Sequence, residues 1–129
     1  VSFEKDKEMK TYKTLTESYM EVANTIRDQI KTLDRWALGA YGAKNFMGSN
    51  GFTNQGITVG PGLQFDVSGH KFKGRVLIGL NGSDLYDIYF VTIGKSGKNL
   101  GKITVKAETH DIYAEDLVTV LDRYIEGKE

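Results

Sequence analysis

Between Arg75 and Ile93 the chain reads RVLIGLNGSDLYDIYFVTI. Val76, Ile78 and Leu80 alternate with other residues, as do Tyr86, Ile88 and Phe90, and the polar run Asn81-Gly82-Ser83-Asp84 separates the two sets. Period-two runs on either side of a turn cluster describe a β-hairpin with one buried face. The buried face also selects the register. A two-residue turn at Asn81-Gly82 sets Val76 opposite Asp87 and Ile78 opposite Leu85, which mixes the faces. Pairing Leu80 with Tyr86, Ile78 with Ile88 and Val76 with Phe90 keeps the large apolar side chains together. A one-residue slip would turn that whole set toward solvent, so the second register is expected, with Ile88 and Phe90 in the core. It needs an odd loop of three or five residues, with Gly82 expected at positive φ. Asn81→Ala is expected to matter little unless Asn81 itself takes a left-handed conformation.

The flanking segments extend the hairpin into a sheet. Trp36, Leu38 and Ala40 alternate with Ala37, Gly39 and Tyr41 and are read as a first strand over 35–41. Leu63, Phe65 and Val67 mark a second over 62–67, the hairpin supplies strands over 72–80 and 85–93, and Ile103, Val105 and Ala107 mark a fifth over 102–108. Upstream, Leu15, Tyr19, Val22, Ile26, Ile30 and Leu33 fall at three- and four-residue steps, one stripe of an amphipathic helix over 15–33, opened by a Thr14–Glu17 capping box. Downstream, Leu117, Val120, Leu121 and Tyr124 give the buried face of a second helix over 112–126, with Asp111 as its expected cap and Gly127 as its stop. The fold class is therefore α+β, a five-stranded antiparallel meander with the N- and C-terminal helices on one face. Residues 1–13 are charged without apolar periodicity and read as a lead-in to a single domain over 14–129. Residues 42–62 carry six glycines and read as a long loop or irregular hairpin, of the kind that is often functional.

Cysteine is absent, which excludes disulfides and thiolate metal sites and suits a reducing cytoplasm. The sequence has no long apolar run to span a membrane and no signal-peptide pattern. Formal net charge is zero but unevenly spread. Residues 35–110 carry nine basic and four acidic groups, and residues 111–129 carry two basic and six acidic, so the sheet is the basic part of the chain. The two histidines, His70 in an expected turn and His110, do not form a zinc ligand set. Gly94-Lys95-Ser96-Gly97-Lys98 lacks phosphate-loop spacing and a following helix, and reads as a hairpin turn. Asn81-Gly82-Ser83 matches a glycosylation sequon but reads as turn composition. No cofactor is expected.

Continuing the register across the sheet, Phe90 is expected opposite Ile103 and Ile88 opposite Val105. The outward face then presents Leu77, Tyr89 and Thr104 in one row, Arg75, Val91 and Lys102 in the next, and Gly79, Asp87 and Lys106 in a third, with Arg35 and Tyr41 extending it. Asp87–Lys106 and Asp66–Lys73 are expected cross-strand pairs. Three uses of this face stay open: a partly exposed sheet surface, a protein interface centred on Leu77, Tyr89 and Val91, or a nucleic-acid platform. On the last, Tyr41 and Tyr89 stack bases while Arg75, Lys102 and Lys106 meet phosphates.

GAKNF at residues 42–46, LNGSDLYDIYF at 80–90, IYAEDL at 112–117 and VANTIRDQI at 22–30 together resemble an uncharacterised family of small proteins encoded by bacteriophages and integrated mobile elements. The resemblance covers about residues 20–125. It implies a phage or mobile-element origin and a bacterial cytoplasmic setting, and it carries over no catalytic residue. The preferred expectation is a non-enzymatic accessory protein contacting a host factor or a second copy of itself through the outer sheet face, in an anti-defence role. The alternative is a single-stranded nucleic-acid-binding protein using the same face.

Overall fold

The computed structural model describes residues 20–55 and 57–127. The expected lead-in over 1–13, the Thr14–Glu17 capping box and the start of the first helix lie outside the described residues. Residues 20–33 are helical (α1). Ala23, Ile26 and Ile30 are buried at three- and four-residue spacing, as an amphipathic stripe requires, whereas Leu33 at the end of the stripe is largely exposed.

The expected strand over 35–41 is a turn leading into a short helix, α2 (Ala37–Ala40). Local hydrogen bonds decide this. Asp34 Oδ1 accepts from the Trp36 amide at 3.0 Å, and the Ala37 amide donates to the Asp34 carbonyl. Aspartate commonly makes such a turn with the backbone two residues on. The amides of Ala40 and Tyr41 then donate to the carbonyls of Trp36 and Ala37. Ala37, Leu38 and Tyr41 are buried together, one helical face, while Trp36 is 71 % exposed with the Arg35 guanidinium against its ring. Alanine and leucine are good helix formers, and alternation over so few residues does not separate the two periods.

The first strand lies in the glycine-rich segment instead: β1 (Lys44–Ser49), followed by β2 (Phe52–Asn54), β3 (Ile57–Val59), β4 (Gly62–Ser68), β5 (Lys73–Leu80), β6 (Tyr86–Ile93) and β7 (Ile103–Ile112). The main sheet is five-stranded and antiparallel in the order β1-β4-β5-β6-β7, and β2 and β3 form a separate hairpin. It is a meander interrupted once, by that hairpin.

In the β5–β6 pair Leu80 faces Tyr86, Ile78 faces Ile88 and Val76 faces Phe90, as the buried-face argument requires, across a five-residue loop. The left-handed residue in that loop is Asp84 (φ 60°), not Gly82. Asn81 organises the turn. Its Oδ1 accepts from the amides of Ser83 (2.8 Å) and Leu85 (3.2 Å), and its Nδ2 donates to Asp87 (3.0 Å) and Asp111 (2.8 Å).

The β6–β7 pairing departs from expectation. Phe90 faces Ala107, Ile88 faces Thr109, and Val91 faces Val105, because the register shifts between Phe90 and Val91 and again between Tyr86 and Ile88. A bulge inserts an extra residue and exchanges the faces of the residues beyond it. Ala107 accordingly packs against the helical core, whereas Ile103 and Val105 lie on the opposite face.

The helical side holds the main core, where α1, α2 and the C-terminal segment cover Phe65, Val76, Ile78, Ile88 and Phe90. That segment begins with a 3₁₀ turn (Ala114–Asp116), continues as α3 (Leu117–Leu121) and closes with a π-helical turn (Asp122–Glu126). Gly127 at φ 75° ends it in the left-handed conformation that glycine adopts without steric cost. Asp111 does not cap it. Asp111 lies in β7 at φ 57°, donates its amide to Asp87 and accepts from Asn81. Phe90 stacks on Tyr124 at 4.8 Å and meets Phe72 edge-on at 5.6 Å, tying the sheet to the last helical turn.

Candidate functional site

The outer sheet face has three zones. Over its middle lies the β2–β3 hairpin. Ile57 and Val59 pack on Leu77, Tyr89 and Val91, with Ile103 and Val105 beside them, and form a second small core. Leu77 is 3 % exposed, Tyr89 8 % and Val91 1 %. The apolar patch expected to be open to a partner is therefore covered by the chain's own 52–59 segment. Gln55 latches the hairpin: its Oε1 accepts from the Ile103 amide at 3.0 Å and its Nε2 donates to the Gly101 carbonyl at 3.1 Å. The backbone also approaches β5 closely. A Cβ at Gly79 would lie 2.5 Å from Val59 Cγ1 and 2.7 Å from the Gly60 carbonyl oxygen, so only glycine fits there.

At one end, near the 81–85 loop, His110 lies between two carboxylates. Its Nδ1 is 3.2 Å from Asp87 Oδ1 and its Nε2 3.1 Å from Glu108 Oε1, and its ring meets Tyr89 edge-on. The hydrogen bond to Glu108 leads in raising its pKa above the usual histidine value, helped by the bond to Asp87 and the charges of both carboxylates, and burial opposes them. The group fastens β7 to β6. Among the described residues no cluster of three or more histidine, cysteine, aspartate or glutamate side chains is arranged to hold a metal ion.

At the other end the face is open and basic. A cleft of about 570 Å³ is lined by Lys44, Asn45, Asp66, Lys73, Arg75 and Lys95, among others. Lys44 on β1 stands opposite Asp66 on β4, Asp66 stands opposite Arg75 on β5, and Lys73 is opposite Ser68. Asp66 therefore pairs with Arg75, not Lys73. Arg75 Nε bonds Asp66 Oδ1 at 2.9 Å, and Asn45 Nδ2 donates to Asp66 Oδ2 at 2.8 Å, with Asn45 itself at φ 58°. Partial burial alone would raise the Asp66 pKa. The bonds from Arg75 and Asn45 and the charges of Arg75 and Lys44 outweigh it and hold the carboxyl below its ordinary value. Asp66 is thus a fixed anion that orients Arg75, while Lys44, Lys73 and Lys95 are exposed.

A smaller hollow of about 280 Å³, lined by Lys102, Asn99 and Thr104, lies at the same end of the sheet on its helical side, because Thr104 alternates with the outward Ile103 and Val105. The loop from Gly94 to Lys102 that carries Lys95 and Lys102 is closed by backbone bonds from the Gly94 amide to the Lys102 carbonyl and from the Gly101 amide to the Gly94 carbonyl. It holds a single 3₁₀ turn (Gly97–Asn99) and no following α-helix, which agrees with the turn reading of GKSGK.

The residues expected at an interface therefore disperse. Arg75 stands at the open basic end, but Lys102 does not: the β6–β7 bulge turns Ile103 and Val105 outward, so Lys102 and Thr104, which alternate with them, fall on the helical side. Lys106 is exposed at the β7 bulge and does not face Asp87. Tyr41 is fully buried on the helical side, where its hydroxyl donates to Asp122, and burial together with that carboxylate drives its pKa far up. It is closed off from base stacking, as Tyr89 is. The lysines that sequence reasoning missed are Lys44, Lys73 and Lys95. Lys44 was hidden because β1 read as loop. Lys73 and Lys95 had a usable signal, since each flanks an end of the central hairpin on the same side of the sheet. Among the described residues no helix is long and apolar enough to cross a membrane. Comparison with protein-family models, with curated proteins and with solved structures returned no match.

Proposed function

We propose that this chain is a non-enzymatic binding protein that takes an anionic partner on the open end of its outer sheet face. The observation that carries the reading is the convergence of Lys44, Lys73, Arg75 and Lys95 on one cleft whose single carboxylate, Asp66, is already engaged by Arg75. Ammonium and guanidinium groups in a concave wall attract and orient an anion, and low-dielectric walls focus their field. On the resemblance of GAKNF, LNGSDLYDIYF and IYAEDL to small phage and mobile-element proteins, the proposed setting is a bacterial cytoplasm, the proposed partner a host component and the proposed role opposition to host defence. Contact through Leu77, Tyr89 and Val91, whether with a host protein or a second copy, is disfavoured because the β2–β3 hairpin occupies that surface.

Heparin chromatography near pH 7 tests the reading, since a chain of zero net charge is retained there only through a local basic patch. Wild type is expected to bind and elute with salt. Lys44→Glu/Lys95→Glu is expected to elute earlier than Lys31→Glu/Arg123→Glu, which changes net charge equally on the helical side. Equal elution of the two variants, or no retention of wild type, would overturn it.

A further inference from the structure

We infer that this chain associates with a second copy of itself, the Leu100 loop of one copy seating in a hollow between α1 and the turn after β7 in the next. The inference goes beyond the anionic-partner reading and uses none of the residues that carry it. The loop is built to present a knob. Bonds from the Gly94 amide to the Lys102 carbonyl and from the Gly101 amide to the Gly94 carbonyl close it, and the Leu100 amide donates to the Gly97 carbonyl. Gln55 holds the Gly101 carbonyl from the β2–β3 hairpin. A fixed backbone thus carries Leu100 at 71 % exposure, with the exposed Lys98 and Lys102 on either side of it in sequence.

The socket lies at the opposite end of the sheet. A hollow of about 370 Å³ is lined there by Leu33, Ala114, Gln29, Asp28, Glu115 and two threonines, with no lysine or arginine in its wall. Leu33 and Tyr113, the neighbour of Ala114, both present apolar surface to solvent. Among the described residues Asp28, Glu115, Lys98 and Lys102 have no ion-pair partner. The two features match in chemistry: an apolar side chain between two cations meets an apolar floor beside two carboxylates. Specific interfaces are arranged in this way, with apolar contact at the centre and complementary charge at the rim. They cannot meet within one chain. Leu100 precedes β7 and Ala114 follows it, and ten residues of extended strand hold them roughly 30 Å apart. Knob and socket are therefore satisfied together only between copies. Each copy has one of each, so the contact closes where two copies exchange both and otherwise propagates from copy to copy.

Sedimentation velocity at low salt tests this over about 10 µM to 1 mM, the range suited to a small and transient contact. The mean mass of wild type should rise with concentration and fall back as salt is added. Lys98→Glu/Lys102→Glu reverses the knob and Asp28→Lys/Glu115→Lys reverses the socket. Each variant alone should stay monomeric with unchanged far-UV circular dichroism. An equimolar mixture of the two should associate again, because reversed knob then meets reversed socket and native knob meets native socket. Leu100→Ser, which changes no charge, should weaken association about 10-fold or more. Wild type that stays monomeric throughout, a mixture as monomeric as its components, or Leu100→Ser associating like wild type would overturn the inference. Sedimentation reads self-association whether or not heparin retains the chain, so this inference and the anion-binding role fail separately.

Discussion

Asn81 makes four hydrogen bonds with one side chain, closing the 81–85 loop and fastening it to Asp87 and Asp111. Asn81→Ala would leave the partly buried Leu85 amide without its side-chain partner and release the loop from Asp87 and Asp111, and should lower stability by about 1–3 kcal/mol in urea denaturation. An unchanged midpoint would mean that water replaces these bonds without cost. Phe90, 1 % exposed and stacked on Tyr124, has a different kind of importance. Phe90→Ala should cost about 3–5 kcal/mol through lost burial and the cavity left behind. A midpoint like wild type's would show that its ring is not core. His110 introduces a pH dependence. Its folded-state pKa lies above the unfolded value of 6.5, so the stability it adds is complete below that pH and is lost as the pH rises through the folded value. Wild-type stability should therefore decline from pH 6 toward pH 8 more steeply than that of His110→Gln. Parallel profiles would show that the contacts with Glu108 and Asp87 add nothing. Asp66 works in the opposite sense, its depressed pKa giving stability that is lost only as acid protonates it below the ordinary carboxylate range.

The β2–β3 hairpin determines which part of the outer face is usable. Strands of three residues do not persist as an isolated pair in water. Ile57 and Val59 buried on β5 and β6, and Gln55 bonded to Gly101 and Ile103, hold them in place. Gly79→Val should force β3 away from β5, since even a Cβ at that position meets Val59 and Gly60. Overpacking of this kind costs about 1–3 kcal/mol, and the uncovered Leu77, Tyr89 and Val91 should bind the dye ANS while helical circular dichroism persists. No gain in dye fluorescence would show that the hairpin does not cover the patch in solution.

Taken as a whole, the molecule is three layers: helices, sheet and a small hairpin cover. The C-terminal segment closes the larger core, with Leu117, Leu121 and Ile125 fully buried. Each such side chain is worth about 1.5–3 kcal/mol on burial. The three together rival the ~5–15 kcal/mol by which domains of this size are stable. A chain ending at Asp116 should therefore lose its cooperative thermal transition, and a sharp transition in that variant would show that the sheet with α1 and α2 suffices.

The central hairpin, its register, the α1 stripe and the Gly127 stop were legible in the sequence because each is decided locally, by a period and a turn within about twenty residues. The strand assignment at 35–41 failed because Asp34 offers the backbone a turn whose hydrogen bonds outweigh a short alternation. Lys44–Ser49 read as loop because β1 is a bulged strand held by pairing with β4, and pairing is not written in its own residues. The bulges in β6–β7 likewise appear only when two strands are laid together, and they carry Ile103 and Val105 to the outer face. The candidate site followed the same division. Its basic character was visible in the excess of lysine and arginine over 35–110, but its position was not, because charge composition carries no direction. Which apolar residues stayed covered, and which cations met at one open end, was decided by where the 52–59 hairpin came to rest on the sheet.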